Sequence, residues 1–301
     1  MKEKLKLAIK NPYRILSRLM YSHSAVLSDK ALTKIKYRAA MGKKLNLENP
    51  QTFNEKLQWL KLYNRKPEYT RMVDKYGVRE YIKEKIGEEY LIPLLGVWDK
   101  FSDIDFDKLP DKFVLKATHD SGNIVICKKK ADFNIKAAEK KLNKALKTKF
   151  FYRSREWPYK NVKPRIIAEE FMIDERDGEL RDYKFFCTNG RVDNVMVCAE
   201  RESGDTKYYF FDKDWNLLKY NKRALSRPNH GLEAPKKLAE MFEIASKLSE
   251  GLPFLRVDLY HCNGKIYFGE LTFYPASGFD SNLQPETDKY FGSLIDLEMQ
   301  R

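Results

Sequence analysis

Two carboxylates interrupt apolar runs near the end of the sequence, Asp258 in LRVDLYHCNGK and Glu270 in FGELTFYPASG. Such acids repel one another unless a cation or a shared proton compensates. Arg256 and Thr272 stand two residues away from them, so the two runs, read as arms of a hairpin, decide whether the four groups meet. A three-residue loop at Cys262-Asn263-Gly264, with Gly264 left-handed, sets Arg256 opposite Glu270 and puts residues 256, 258, 270 and 272 on one face. A two-residue loop sends Asp258 and Glu270 to opposite faces. Sharing a face, oxygen donors without histidine suit Mg²⁺, which bridges one or two carboxylates to nucleotide phosphates. The simpler alternative is an Arg256–Glu270 pair with Asp258 turned to solvent.

A magnesium site of that kind needs a phosphate cradle elsewhere. In FVLKATHDSGNIVI, Lys116 ends a strand and a polar loop with Ser121 and Gly122 follows. Backbone N–H groups of such a loop can turn toward an anion while the lysine acts as a point charge. Alone, a lysine beside a turn reads equally as a solvated charge, and neither G-x-x-x-x-G-K-[ST] nor G-x-G-x-x-G occurs. Glu169 and Glu170 follow three apolar residues in RIIAEEFM, where backbone groups can read an adenine edge and a glutamate can accept its amine. An exposed strand end is the competing reading.

The elements that must hold these residues follow from periodicity. TFNEKLQWLKLYNR predicts a helix over 52–65, with Thr52 and Glu55 as a capping box. A second helical stretch covers 68–87, and EYLIPLLGVW (89–98) reads as a buried strand that Pro93 assigns to an edge. From residue 111 the period changes to two: FVLKA and NIVIC are strands, and a helix follows over 135–149. The loop FFYRSREWPYK is either an acceptor contact or a structural brace. RIIAEEFM is a strand, Asn189-Gly190 turns a hairpin, KYYFFDKDWNLLKY is a strand pair, and residues 233–252 form an amphipathic helix. The fold class is α+β with mostly antiparallel sheets.

With 301 residues, 43% hydrophobic and 33% charged, the chain reads as a soluble globular protein. No apolar run reaches the roughly 18 residues of a membrane span, and the first residues lack the unbroken apolar core of a signal peptide, so a cytoplasmic location is expected. Cys127, Cys187, Cys198 and Cys262 are widely spaced with no C-x-x-C, which favours buried free thiols over zinc or disulfides. Residues 1–50 hold 12 basic and 3 acidic side chains, hence +9 of the net +14. This basic helical arm either touches anionic membrane through residues 1–45 or packs on the main body. No nucleic-acid module is present, so nucleic acid is not an expected partner.

Taken in order, FNEKLQWLKL, VDKYGVREY, FVLKATHDSGN, EWPYKNVKPRIIAEEF, LRDYKFF and LRVDLY…YFGELTFYPASG resemble the blocks of the ATP-grasp superfamily, specifically its teichuronopeptide and capsular-polysaccharide subfamily. The resemblance implies an ATP-grasp fold of two α+β subdomains gripping ATP. It suggests an arm over 1–50, a reduced helical region over 51–105, a small subdomain over 106–165 and a large one over 166–301. It implies that Lys75 and Lys116 contact ATP phosphates, that Ser121 and Gly122 close over them, and that Glu169 or Glu170 sits beside adenine. Asp182 falls at the ribose, Asp258 and Glu270 at Mg²⁺, and Arg256 beside an acyl phosphate. Thr272 replaces the usual asparagine ligand, which leaves a second ion less certain, and Lys184, without a counterpart, is expected to contact phosphate or substrate. The implied function is an ATP-dependent carboxylate–amine ligase, with a sugar acid or amino acid of a surface polysaccharide as substrate. Members of the subfamily are often labelled glycosyltransferases, so Asp103-Ile104-Asp105, Asp105-Phe106-Asp107 and Asp212-Lys213-Asp214 are D-x-D candidates for that alternative. A basic, non-enzymatic adaptor on a membrane surface is a third reading.

Overall fold

The computed structural model describes residues 26–174, 180–199, 206–226 and 231–298. Helix α1 (Asp29–Met41) begins where the Ser28 side chain accepts the Ala31 N–H, and stops at left-handed Gly42. It buries Leu32 and Tyr37 against the body, so this part of the basic arm packs. The rest of the arm, residues 1–25, lies outside the described residues. Helix α2 (Phe53–Tyr63) carries the expected capping box, with Thr52 and Glu55 each accepting the other's backbone N–H.

The helix expected over 68–87 is two helices, α3 (Glu68–Val73) and α4 (Val78–Lys85). The break between them holds Lys75. Its cause is Asp74, whose carboxylate accepts the Tyr76 N–H and pairs with Arg165 at 2.8 Å. Short acidic side chains that bond the local backbone compete in this way with helix continuation.

Four strands, β1 (Leu94–Trp98), β2 (Phe113–Ala117), β3 (Ile124–Cys127) and β4 (Ile166–Glu170), form an antiparallel sheet in the order β1-β4-β2-β3. The edge position of β1 agrees with Pro93 just before it, but the strand is half-buried rather than buried. Helix α5 (Ile135–Leu146) covers one face, packing Ala138 and Leu142 into a cluster with Phe113 and Leu115. Helix α6 (Phe151–Ser154) is a single turn that follows. Strands β1 and β4 lie outside the 106–165 segment expected to make the small subdomain, so this sheet draws on both flanks of it.

The second sheet has six strands in the order β10-β9-β5-β6-β7-β8. They are β5 (Asp182–Thr188), β6 (Arg191–Ala199), β7 (Lys207–Phe211), β8 (Leu217–Leu218), β9 (Leu255–Cys262) and β10 (Lys265–Thr272), all antiparallel. Helices α7 (Leu238–Ser249) and α8 (Pro285–Leu294) complete the elements. Phe53 of α2 meets Phe254 and Phe291 edge-on at 4.9 and 5.5 Å, joining the N-terminal helices to this sheet. Such aromatic pairs contribute about 0.5–1.5 kcal/mol each beyond area burial. All four cysteines are free, and three are buried. Among the described residues no helix is long and apolar enough to cross a membrane.

Candidate active site

The carboxylate hairpin reaches its geometry by an unexpected route. Its loop has two residues, not three: Cys262 pairs with Lys265, and Asn263 and Gly264 are both left-handed, with φ of 49° and 76°. That turn alone would separate Asp258 from Glu270. A β-bulge between Phe268 and Glu270 inserts one unpaired residue, Gly269, and resets the register so that Glu270 faces Asp258 and Thr272 faces Arg256. The bulge requires glycine because a Cβ there would lie 2.9 Å from the Asp258 carbonyl oxygen.

The four groups therefore share a face and bond to one another. Arg256 donates from Nε to Asp258 Oδ1 at 2.6 Å, and from Nη2 to Asp258 Oδ2 at 2.7 Å, Glu270 Oε1 at 2.8 Å and Thr272 Oγ1 at 3.0 Å. Lys184, opposite Asp258 on neighbouring β5, bonds to its Oδ2 and pairs with Asp182 at 3.2 Å. The expected alternative of a solvent-facing Asp258 is not what forms, because its side chain is 1% exposed while that of Glu270 is 41% exposed. Burial pushes the Asp258 carboxyl up, against the pull of Arg256 and Lys184. Burial also acts to raise Glu270, but Arg256, Lys184 and Lys75 outweigh it and hold that carboxyl below its ordinary value. Lys184 is raised: desolvation opposes its charge, and Asp258 and Asp182 overcome it.

Facing this hairpin, the small sheet and α4 supply a second charge cluster. Lys116 on β2 pairs with Glu169 at 2.6 Å, and Arg79 reaches the same carboxylate at 3.3 Å. Lys75 is held by its loop: its N–H donates to the Thr118 carbonyl at 3.1 Å and its ammonium bonds to the Asp120 carbonyl. Desolvation lowers the Lys75 pKa, opposed chiefly by Glu270. Between the two clusters lies a cleft of about 220 Å³ lined by Lys75, Arg79, Lys116, Glu169, Asp182, Lys184, Asp258 and Glu270. Apolar groups including Met72, Val73, Leu91, Ile92 and Phe268 complete its wall.

Most of the residues singled out in the sequence thus converge. Ser121 borders an adjoining cavity of about 270 Å³ that shares Tyr159 and Glu270 with the cleft. Gly122 is at an exposed loop tip with φ of 96° and open space where a Cβ would stand. Of the two candidate acids on β4, Glu169 lines the cleft, whereas Glu170 is exposed, as alternation along a strand requires. The Thr272 hydroxyl bridges Arg256 and Glu270, donating to Glu270 at 3.1 Å. The D-x-D candidates are not in the cleft: Asp105 and Asp212 accept N–H groups of their own turns. Sequence reasoning missed Arg79 and Tyr260 in the cleft wall, whereas Tyr159 there belongs to the loop FFYRSREWPYK, read as an acceptor contact or a brace.

The donor set fits Mg²⁺ in part. Glu270 is an accessible carboxylate, whereas both oxygens of buried Asp258 are bonded to Arg256 and Lys184, and no histidine or cysteine is among the described residues that line the cleft. Among the described residues no group of three or more His, Cys, Asp or Glu side chains is arranged to hold a metal.

The TupA-like ATP-grasp family profile matches residues 55–296. Among solved structures, the D-alanine–D-alanine ligase of Bacillus anthracis complexed with ATP is 16% identical over 76% of this chain and 64% of that one, with a TM-score of 0.43. The chain thus spans less than two thirds of that ligase. The ATP-grasp ligase PsnB complexed with a phosphomimetic precursor variant, Mg and ADP is 10% identical over 82% and 66%, with a TM-score of 0.44. D-cycloserine synthetase DcsG is 11% identical over 76% and 70%, with a TM-score of 0.41. No curated protein matches.

Proposed function

The chain belongs to the TupA-like ATP-grasp family, and we propose that it is an ATP-dependent carboxylate–amine ligase working through an acyl phosphate. The observation that carries this reading is the convergence of Lys75, Lys116, Asp258 and Glu270 on one cleft between two sheets. Lys75 and Lys116 bind the phosphates, and Ser121 and Gly122 lie over them. Glu169 faces the adenine side, and Asp182 the ribose. Asp258 and Glu270 would hold Mg²⁺, which when bound supplies neutralisation of phosphate charge and polarisation of the transferred group.

In this mechanism a substrate carboxylate attacks the γ-phosphorus, giving an acyl phosphate and ADP. An amine then displaces phosphate to give an amide. Arg256 stabilises the negative charge that develops on the acyl oxygen, held for that purpose by Asp258, Glu270 and Thr272. Lys184 fixes Asp258 and faces the transferred phosphoryl group. Reaction at a bound carboxylate needs no protein nucleophile. The family name and the resemblance of the sequence blocks favour a sugar acid or amino acid of a capsule-like or teichuronopeptide-like surface polysaccharide, handled in the cytoplasm or at the inner face of its membrane.

The test is ADP release against a panel of uronic and amino acids, each with a panel of primary amines. At least one pair should release ADP and form an amide, and Glu270→Ala should abolish both. In a thermal-shift screen ATP should stabilise the chain and nucleotide-sugars should not. Stabilisation by a nucleotide-sugar with no effect of ATP would replace the ligase by a glycosyltransferase.

A further inference from the structure

We infer that Glu156 is the catalytic residue that receives the attacking amine, binding its ammonium form in the cavity shared with Glu270 and taking one of its protons; this rests on the ligase reading above. The cavity of about 270 Å³ touches the cleft at Glu270 and Tyr159, and its wall includes Thr272 and Ser277. Rings of Phe150, Tyr159, Tyr274 and Phe279 form its apolar sides. An acid set among aromatic rings is the chemistry that recognises an organic cation, through a charge-assisted hydrogen bond and ring faces.

The acid in question is 7% exposed, and its Oε1 accepts from the Ser277 hydroxyl at 2.7 Å. Among the described residues no ion pair within 4.0 Å includes Glu156. Two cations act on it through space: Arg153, which also lines the cavity, and Lys61, which directs its ammonium to the carbonyls of Ser154 and Ser277 at 3.1 and 2.8 Å and over the Phe279 ring at 4.6 Å. Burial pushes the Glu156 carboxyl up, offset first by Lys61, which makes it a stronger proton acceptor than an exposed glutamate.

Its position is unusually well fixed. Ala276, Ser277 and Gly278 are consecutive left-handed residues with φ of 49°, 55° and 69°. For alanine and serine this conformation costs about 1–2 kcal/mol each. Gln58 holds the turn through the Ser277 and Gly278 carbonyls at 3.1 and 2.6 Å, and Lys61 and Glu156 hold Ser277. Strain maintained by so many bonds is a mark of a positioned site.

The step balances as follows. R–NH₃⁺ gives one proton to the Glu156 carboxylate. The freed nitrogen lone pair attacks the acyl carbon, the C–N bond forms, and the C–O bond to phosphate breaks with its electron pair leaving on phosphate. The nitrogen's second surplus proton goes to that phosphate, and Glu156 returns its proton to solvent after the amide departs.

Hydroxylamine separates this role from the first half-reaction, because it is uncharged at neutral pH and needs neither an ammonium site nor a base. Wild type, Glu156→Gln and Ser277→Ala are given ATP, Mg²⁺ and a carboxylate from the ADP-release panel, with either hydroxylamine or a primary amine as nucleophile. In Glu156→Gln the ratio of amide to hydroxamate should fall by roughly 100-fold. Ser277→Ala, which removes the bracing bond but keeps the acid's charge, should lower it far less. An unchanged ratio in Glu156→Gln, or an equal fall in Ser277→Ala, overturns the inference. If wild type forms hydroxamate from none of the carboxylates in the panel, the ligase reading is what fails. The site is then judged by saturation-transfer NMR with ethanolamine against ethylene glycol. A preference for ethanolamine that Glu156→Gln removes supports an amine site, and its absence in wild type overturns one.

Discussion

Asp258 and Glu270 carry the same charge in different surroundings, and their removal should have different consequences. Asp258 is enclosed by Arg256 and Lys184, so Asp258→Ala removes the carboxylate these two cations share and leaves Arg256 with Glu270 and Lys184 with Asp182. Breaking a buried pair in this way costs about 3–5 kcal/mol. Glu270 borders the cleft and keeps its shape as glutamine. Glu270→Gln should therefore lose ADP release while melting close to wild type, whereas Asp258→Ala should lose both, as thermal melts beside ADP assays will record. Lys61 offers a pH test. Desolvation lowers its pKa from 10.5 to about 7, opposed by Glu156. Between those values the unfolded chain binds the extra proton, so this residue's contribution to stability rises as pH increases. The stability of wild type relative to Lys61→Met, measured by urea unfolding, should grow from about pH 7 upward, and a flat difference would contradict the assignment.

Among the elements, those specified by neighbouring residues were legible and those specified from afar were not. The capping box of α2, the Asn189-Gly190 hairpin and the β2–β3 pair each depend on residues within a few positions, and each forms as read. The break between α3 and α4 combines the local Asp74 bond to the Tyr76 N–H with a pairing to Arg165 far along the chain, and the burial of Lys61 depends on carbonyls at 154 and 277. The shared face of Asp258 and Glu270 was anticipated through a three-residue loop, yet it arises from a two-residue turn plus a bulge. Gly269 inside a strand was the available sign of that bulge. Gly269→Ala should cost about 1–3 kcal/mol, since the obstructing atom is backbone, and should move Glu270 out of register. A lower melting temperature with reduced ADP release is the expected result; a melt like that of wild type would refute the steric account.

For the molecule as a whole, the described part of the basic arm belongs to the body. Asp29 on α1 pairs with Arg65 at 2.7 Å and Arg155 at 2.8 Å, beside buried Leu32 and Tyr37. Deleting residues 1–45 should lower the melting temperature by roughly 5 °C or more, given the usual slope of a few degrees per kcal/mol; an unchanged melt would mean that α1 contributes nothing. The cleft contrasts with the chain's net charge of +14, because its lining holds four basic and four acidic side chains. Three of the four cleft cations, Arg79, Lys116 and Lys184, are each already bonded to a carboxylate, and the fourth, Lys75, is bonded to the Asp120 carbonyl. The site is in effect an internal salt. An incoming polyanion does not fall onto a bare positive patch; it trades places with resident acids, and dissolved ions, having few loose charges there to shield, gain little leverage over the exchange.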